Sequence, residues 1–206
     1  MAGAQVVPIF YHYSTQQLAA LLPKINGVFF PGGEMPIDNN NQWTSNIGFI
    51  LNFAKKENDM GRSFPLWATC LGYEAVMYIT SGLNDNMTVL TRVNGQRGLR
   101  GNLTVTNTNS PLIRSLSVKE YEEVTKGEGL LWFHHTWAVT LETYNAQTPL
   151  NSFWKLVSTS VTEDNVVFVS TVEARNYPFF MTQYHPEKNS YEWKIDAARS
   201  YDAVSV

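Results

Sequence analysis

Apolar residues fall into short blocks whose spacing switches between strand-like and helix-like along the chain. Gln5-Val6-Val7-Pro8-Ile9-Phe10 is apolar and β-branched, which predicts a strand with Pro8 near its end. Ser14 followed by Gln17 forms a capping-box pattern, and Leu18, Leu21, Leu22 and Ile25 recur on one helical face, so a helix is predicted up to the stop at Lys24-Ile25-Asn26-Gly27. A second short buried strand, Gly27-Val28-Phe29-Phe30, ends in the turn formers Pro31-Gly32-Gly33. The polar run 38–42 leads into a helix over about 43–56, with Ile47, Ile50, Leu51 and Ala54 on one face.

The next block, Phe64-Pro65-Leu66-Trp67-Ala68-Thr69-Cys70-Leu71-Gly72-Tyr73-Glu74-Ala75-Val76, reads as strand, sharp turn at Cys70, helix. Beyond it the pattern predicts a strand at 87–93, a glycine-containing loop at 94–102, a further alternating stretch at 102–106 and a charged helix from Ser117 through Lys126. Residues 153–158 and 166–172 form a predicted hairpin about Glu163-Asp164-Asn165, and a last strand, 179–184, runs into His185-Pro186-Glu187-Lys188. Alternation of strand and helix in the first part of the chain predicts an α/β fold with a mainly parallel central sheet and right-handed crossovers. The strand-rich region from 87 to 170 predicts a small antiparallel extension.

Composition narrows this picture without adding a second domain. The chain has 206 residues, 44% hydrophobic and 13% aromatic, enough for one sizeable core. A formal net charge of -3 gives no general attraction to nucleic acid or to an anionic membrane. No apolar run reaches the roughly 18 residues that a membrane-spanning helix needs, and no basic segment leading into an apolar h-region opens the chain. The single cysteine excludes an internal disulfide.

Two places carry candidate chemistry. Cys70 stands on a strand-to-helix turn, where the first N–H groups of the following helix lie beside it and can stabilise a thiolate or an oxyanion. A lone cysteine also packs often as a small buried hydrophobe, so the turn alone does not decide. His185 and Glu187, two apart at the end of a strand with proline between them, can reach the same sheet edge. Together the three supply a thiol, a base to take its proton and a carboxylate to orient the imidazole. The adjacent pair His134-His135 is a poor metal site, because neighbours on a strand point to opposite faces and no further ligands lie at suitable spacing. No metal and no cofactor is therefore expected. Asn86-Met87-Thr88 and Asn102-Leu103-Thr104 fit the glycosylation acceptor pattern.

With Pro31-Gly32-Gly33, Thr69-Cys70-Leu71-Gly72 and His185-Pro186-Glu187-Lys188 in this order, the chain resembles the class I glutamine amidotransferase-like superfamily, with a flavodoxin-like three-layer sheet and helices on both faces. Within it, the chain resembles gamma-glutamyl hydrolases along most of its length. The resemblance implies a single domain over 1–206, lacking the family's first strand and helix and its C-terminal helix. It implies hydrolysis of γ-glutamyl bonds in folate poly-γ-glutamates and related peptides (an omega peptidase activity) through a Cys70 thioester. His185 would be base and then acid, and Glu187 its orienter. Backbone N–H groups of Gly32, Gly33 and Leu71 would form the oxyanion hole, with His135, Glu74 and Gly72 on the substrate side. Lys188, Arg175 and Lys194 are the candidates to meet a polyanionic substrate. The resemblance also suits a lysosomal, vacuolar or secreted glycoprotein and is compatible with a homodimer. Amidotransferases commonly carry glutamine where this chain has Glu74, which favours the hydrolase. A glutaminase or amidotransferase-type subunit working with a synthase, and a non-catalytic shortened remnant, stay open at this point.

Overall fold

The computed structural model describes residues 3–82, 89–94, 97–127 and 129–188. The elements, in chain order, are α1 (Thr15–Leu21), a 3-10 turn at Leu22–Lys24, β1 (Val28–Phe30), α2 (Gln42–Asp59), β2 (Leu66–Thr69), α3 (Leu71–Thr80), β3 (Thr91–Arg92), β4 (Arg97–Gly101), β5 (Thr104–Val105), α4 (Pro111–Arg114), α5 (Val118–Lys126), β6 (Leu131–His134), β7 (Trp137–Ala138), α6 (Leu141–Ala146), α7 (Thr148–Phe153), β8 (Trp154–Val161), β9 (Val167–Ala174) and β10 (Phe179–Thr182).

Local chemistry accounts for several of these boundaries. Ser14 and Gln17 exchange reciprocal bonds that open α1, and Ser117 and Glu120 do the same for α5, so both capping boxes form as their spacing predicts. Asn41 accepts from the Thr44 N–H and starts α2, which runs one residue earlier and three later than expected.

Six strands form one sheet in the order β1-β2-β10-β9-β8-β5. β1, β2 and β10 are mutually parallel, with Val28, Leu66 and Phe179 level across them. From β10 outward, β9, β8 and β5 pair antiparallel. The predicted hairpin is β8 and β9, both longer than expected, and the antiparallel extension makes up half of the sheet. Two two-stranded ribbons stand apart from it, β3 with β7 and β4 with β6. β4 lies where the glycines predicted only a loop, and its cross-strand partner is the aromatic run of β6.

A main apolar core joins α1, α2, α3 and α7 to the sheet through side chains such as Leu18, Ile47, Leu51, Val76, Leu150, Val169 and Met181. A second core around Leu103, Val124, Phe133, Phe168 and Tyr184 lies on the other face of the antiparallel half, under α5 and the β4–β6 ribbon. Phe168 and Val169, adjacent on β9, point to the two cores in turn, as strand alternation requires. Across the parallel half that outer face presents Phe29, Trp67 and Phe180 in register, with Phe29 52% exposed.

The strand expected at 5–10 does not form. Val6 is 88% exposed and Phe10 half exposed, and among the described residues the segment pairs with no strand, which leaves β1 at the edge of the sheet. β-propensity without a partner ladder leaves an extended chain, and Pro8 removes one donor from any ladder it could join. Asn46 of α2 holds the end of this segment by donating to the carbonyls of Tyr11 and Tyr13, at 3.0 and 2.9 Å. Of the strand expected at 87–93, the described part reduces to β3.

Candidate active site

The parallel strands end on one edge, and backbone bonds lock those ends together. The Cys70 N–H donates to the Thr182 carbonyl at 2.9 Å, the Gly72 N–H to Pro31 at 3.2 Å, and the His185 N–H to Trp132 at 2.8 Å. Loops after β1, β2 and β10 thus converge, and with them Gly32, Cys70 and His185. Open α/β sheets bind their ligands at this carboxyl edge.

Cys70 occupies a strained conformation, φ 50° and ψ -108°, between β2 and α3. A non-glycine residue held there is over-determined by its surroundings, which matches the strained strand-to-helix elbow that presents a nucleophile. Those surroundings are visible in α3, where the Tyr73 hydroxyl donates to Val169 at 2.9 Å and the Trp154 indole N–H to Thr80 Oγ1 at 3.0 Å. The tight start of α3 also needs Gly72, since a Cβ there would collide with the carbonyl of Phe30. Gly72 does not line the cleft described below, so its expected place on the substrate side gives way to a packing role.

His185 is buried, and its Nδ1 lies 2.7 Å from Glu187 Oε1. The carboxylate accepts, so Nδ1 carries the proton and Nε2 remains for chemistry. Burial works against the charge on Glu187, but the bond to His185, together with its own backbone N–H and Lys188, keeps its carboxyl below the usual range. The pair reaches Cys70 across Gly32. A Cβ on Gly32 would stand 2.5 Å from His185 Cε1 and 3.4 Å from Cys70 Cβ, so the imidazole and the Cys70 side chain flank one point that only glycine leaves empty. The thiol itself rests against the His134 carbonyl at 3.6 Å. Burial, reinforced by the nearby Glu74, pushes the Cys70 thiol up to about 12, so at neutral pH it holds its proton until a base removes it.

Beside the sulfur opens a cleft of about 680 Å³, lined by Cys70, Leu71 and Glu74 from the elbow, by Gly33 to Asp38 after β1, and by His134 to Trp137. Gly33 and Leu71, two of the three residues expected to supply oxyanion donors, line the cleft wall, while Gly32 lies beneath His185. Glu74 is buried and accepts from Gln183 Nε2 at 2.9 Å. Burial outweighs that bond and raises its carboxyl to about 8, leaving it neutral at pH 7. His135 is buried too, its Nδ1 2.9 Å from the Trp137 carbonyl. Burial first, and the neighbouring histidines after it, push it down to about 4 against that bond, so it is an uncharged imidazole. His134 is exposed and stacks on Trp132, so the adjacent histidines face opposite ways.

Arg175 and Lys188 do not line this cleft. Arg175 donates to the Asn151 carbonyl at 3.0 Å, the charge of Lys188 acts on Cys70 against the upward push of burial, and Lys194 lies outside the described residues. Asn86 also lies outside them. Asn102, the other sequon, donates its Nδ2 to Gly127 at 2.9 Å with its Oδ1 buried, so in the folded chain the nitrogen a glycan needs is already engaged. Sequence reasoning missed Gln183 as the partner of Glu74. Gln183 is wholly buried two positions before His185, just past the end of β10, and no local sequence pattern marks it.

No protein-family model matches the chain. Among curated proteins it is 32% identical over 197 residues to gamma-glutamyl hydrolase of Bos taurus, 30% over 198 residues to that of Homo sapiens, and 28% over 206 residues to gamma-glutamyl hydrolase B of Dictyostelium discoideum. These matches take in 93%, 94% and 98% of this chain but 58%, 59% and 58% of the relatives, so the chain spans under two thirds of their length. Among solved structures, a putative GMP synthase subunit from Thermoplasma acidophilum matches with a TM-score of 0.54 and 14% identity, over 86% of this chain and 69% of that one. At that identity the likeness is one of fold.

Proposed function

The chain is homologous to gamma-glutamyl hydrolases over almost all of its own length, and from that premise we propose that it hydrolyses γ-glutamyl amide bonds through a cysteine thioester. The observation that carries the reading is Cys70 on its strained elbow, facing the His185–Glu187 pair across Gly32.

In this mechanism His185 Nε2 takes the thiol proton as Sγ attacks the γ-carbonyl carbon. The oxygen becomes an oxyanion held by backbone N–H groups of Gly32, Gly33 and Leu71. The intermediate collapses as the imidazolium gives its proton to the departing amine, leaving a γ-glutamyl thioester. Water, deprotonated by His185, then attacks that thioester, and the free γ-carboxylate and the thiol are released. A thiol held near 12 makes the base indispensable, since almost no thiolate exists at pH 7 without it. General acid and base catalysis is worth roughly 10²- to 10⁴-fold, and each oxyanion donor about 10²- to 10³-fold.

Substrates are γ-glutamyl peptides, with folate poly-γ-glutamates among them by kinship. A lysosomal, vacuolar or extracellular location rests on the same kinship. Among the described residues no helix is long and apolar enough to cross a membrane. The test is release of amine from a γ-glutamyl anilide by the wild-type chain and by Cys70→Ala. Loss of turnover with an unchanged urea melt supports the reading, and equal turnover contradicts it.

A further inference from the structure

His135 presents an unfilled acceptor beside the reacting sulfur. Its Nδ1 is fixed as a donor, because the Trp137 carbonyl at 2.9 Å can only accept. The remaining nitrogen, Nε2, then carries a bare lone pair, and it is buried with no hydrogen-bond partner. Edge contacts with Phe133 and Phe168, at 5.9 and 5.2 Å between ring centres, hold the ring in place. A buried acceptor without a partner is costly to keep, so one built into a cleft wall is set for a donor that arrives with a ligand. The preceding residue, His134, supplies the carbonyl against which the Cys70 thiol rests, which puts His135 next to the point of attack.

The donor that a γ-glutamyl substrate brings to this place is the nitrogen on its α-carbon, four single bonds from the carbonyl under attack. We propose that His135 Nε2 accepts an N–H from that α-nitrogen and so selects γ-glutamyl groups over acyl groups of the same length without one. This rests on the hydrolase reading above. Both an α-ammonium and an acylated α-nitrogen offer the N–H. Charge favours the ammonium, because Glu34 and Asp38 line the cleft and its described lining includes no lysine or arginine.

The test compares kcat/KM for γ-glutamyl-, N-acetyl-γ-glutamyl- and glutaryl-p-nitroanilide. The glutaryl group keeps the distal carboxylate and lacks only the α-nitrogen. In the wild-type chain the glutaryl compound is expected to be poorer by about 10- to 100-fold, the equivalent of one unsatisfied buried acceptor, with the acetylated compound between. His135→Asn keeps a donor for the Trp137 carbonyl but has no counterpart of Nε2, so the γ-glutamyl to glutaryl ratio should fall towards one. His135→Gln can place an oxygen near the Nε2 position, and partial recovery of the ratio is expected. A ratio near one in the wild-type chain, or a ratio unchanged in His135→Asn, overturns the proposal while leaving the hydrolase reading intact. Hydrolysis of none of the three compounds overturns both. A second measurement uses Cys70→Ala as a binding-competent, inactive host: calorimetric affinity for the γ-glutamyl over the glutaryl compound should likewise vanish when His135→Asn is added.

Discussion

The two halves of the sheet each bury a glutamate and treat it in opposite ways. In the antiparallel half Glu173 accepts from Ser110 Oγ at 2.6 Å and Asn107 Nδ2 at 3.2 Å and pairs with Lys155 at 3.2 Å. Every strand there has a partner ladder, and the outer face lies under a second core. At the carboxyl ends of the parallel strands Glu74 has an amide for its hydrogen-bond partner and is raised to about 8, Cys70 is strained, and His135, brought there by the segment between β6 and β7, has an empty acceptor. Glu173 is thus met by two donors and a counter-charge in the half that fixes the fold, although Ser170 Oγ on β9 and Asn102 Oδ1 are buried there without partners. A raised carboxyl, a strained cysteine and an open acceptor meet where three parallel strands end, and local strain or desolvation of that kind is what chemistry requires.

Gly32→Ala should break the contrast most severely. Its Cβ would displace His185 from the side of Cys70, and misplacement by about 1 Å can cost 10²-fold, so kcat/KM on a γ-glutamyl anilide should fall by at least about that factor with the melt retained. Unimpaired turnover would show that imidazole and thiol do not meet across this residue.

A smaller effect is expected from Glu74→Gln, read as the pH dependence of urea midpoints. Glu74 has its carboxyl raised from 4.5 to about 8. The folded state therefore binds the proton more tightly, and stability is lost as pH rises through that window, by an amount on the order of a few kcal/mol. His135, lowered from 6.5 to about 4, acts with the opposite sign and costs stability as pH falls from 6.5 to 4. The two slopes oppose each other between 4.5 and 6.5, so Glu74 is exposed most clearly from 6.5 to 8. There the wild-type midpoint should fall and that of Glu74→Gln should stay level. Parallel curves would mean that Glu74 is ionised at neutral pH.

Glu173→Gln is the control in the other half. Disturbing its donors and Lys155 should cost roughly 1–3 kcal/mol in a urea melt while kcat/KM stays within about twofold. A catalytic defect there would dissolve the division of labour. Phe29→Thr, on the half-exposed outer face of β1, is expected to change stability least, by no more than about 1 kcal/mol, half the burial of a phenylalanine ring. A larger loss would show that this face is covered in solution.

Period and capping made most of the parallel half legible from sequence. Ser14 with Gln17, the helix face of Ile47, Ile50 and Leu51, and the strand-turn-helix at Cys70 are local patterns, and each forms. The failures are where local pattern needs a remote partner. Residues 5–10 have strand propensity but no neighbour, and β4 has weak propensity yet gains a ladder from β6. In the site, Cys70, His185 and Glu187 could be named because each sits at the end of a predicted strand. Gln183 could not, because its role is set by the distance to a helix more than a hundred positions earlier. The difference between Gly32, which makes room for His185, and Gly72, which makes room for Phe30, likewise exists only in three dimensions.

The most direct test of a thiol activated by His185 at the end of β2 is to quench the chain during turnover of a γ-glutamyl anilide at acid pH and map the adduct by mass spectrometry. A γ-glutamyl group on the peptide containing Cys70, released by hydroxylamine and lacking in His185→Ala, is the predicted result. Turnover without that adduct, or an adduct that forms equally fast without His185, would contradict it.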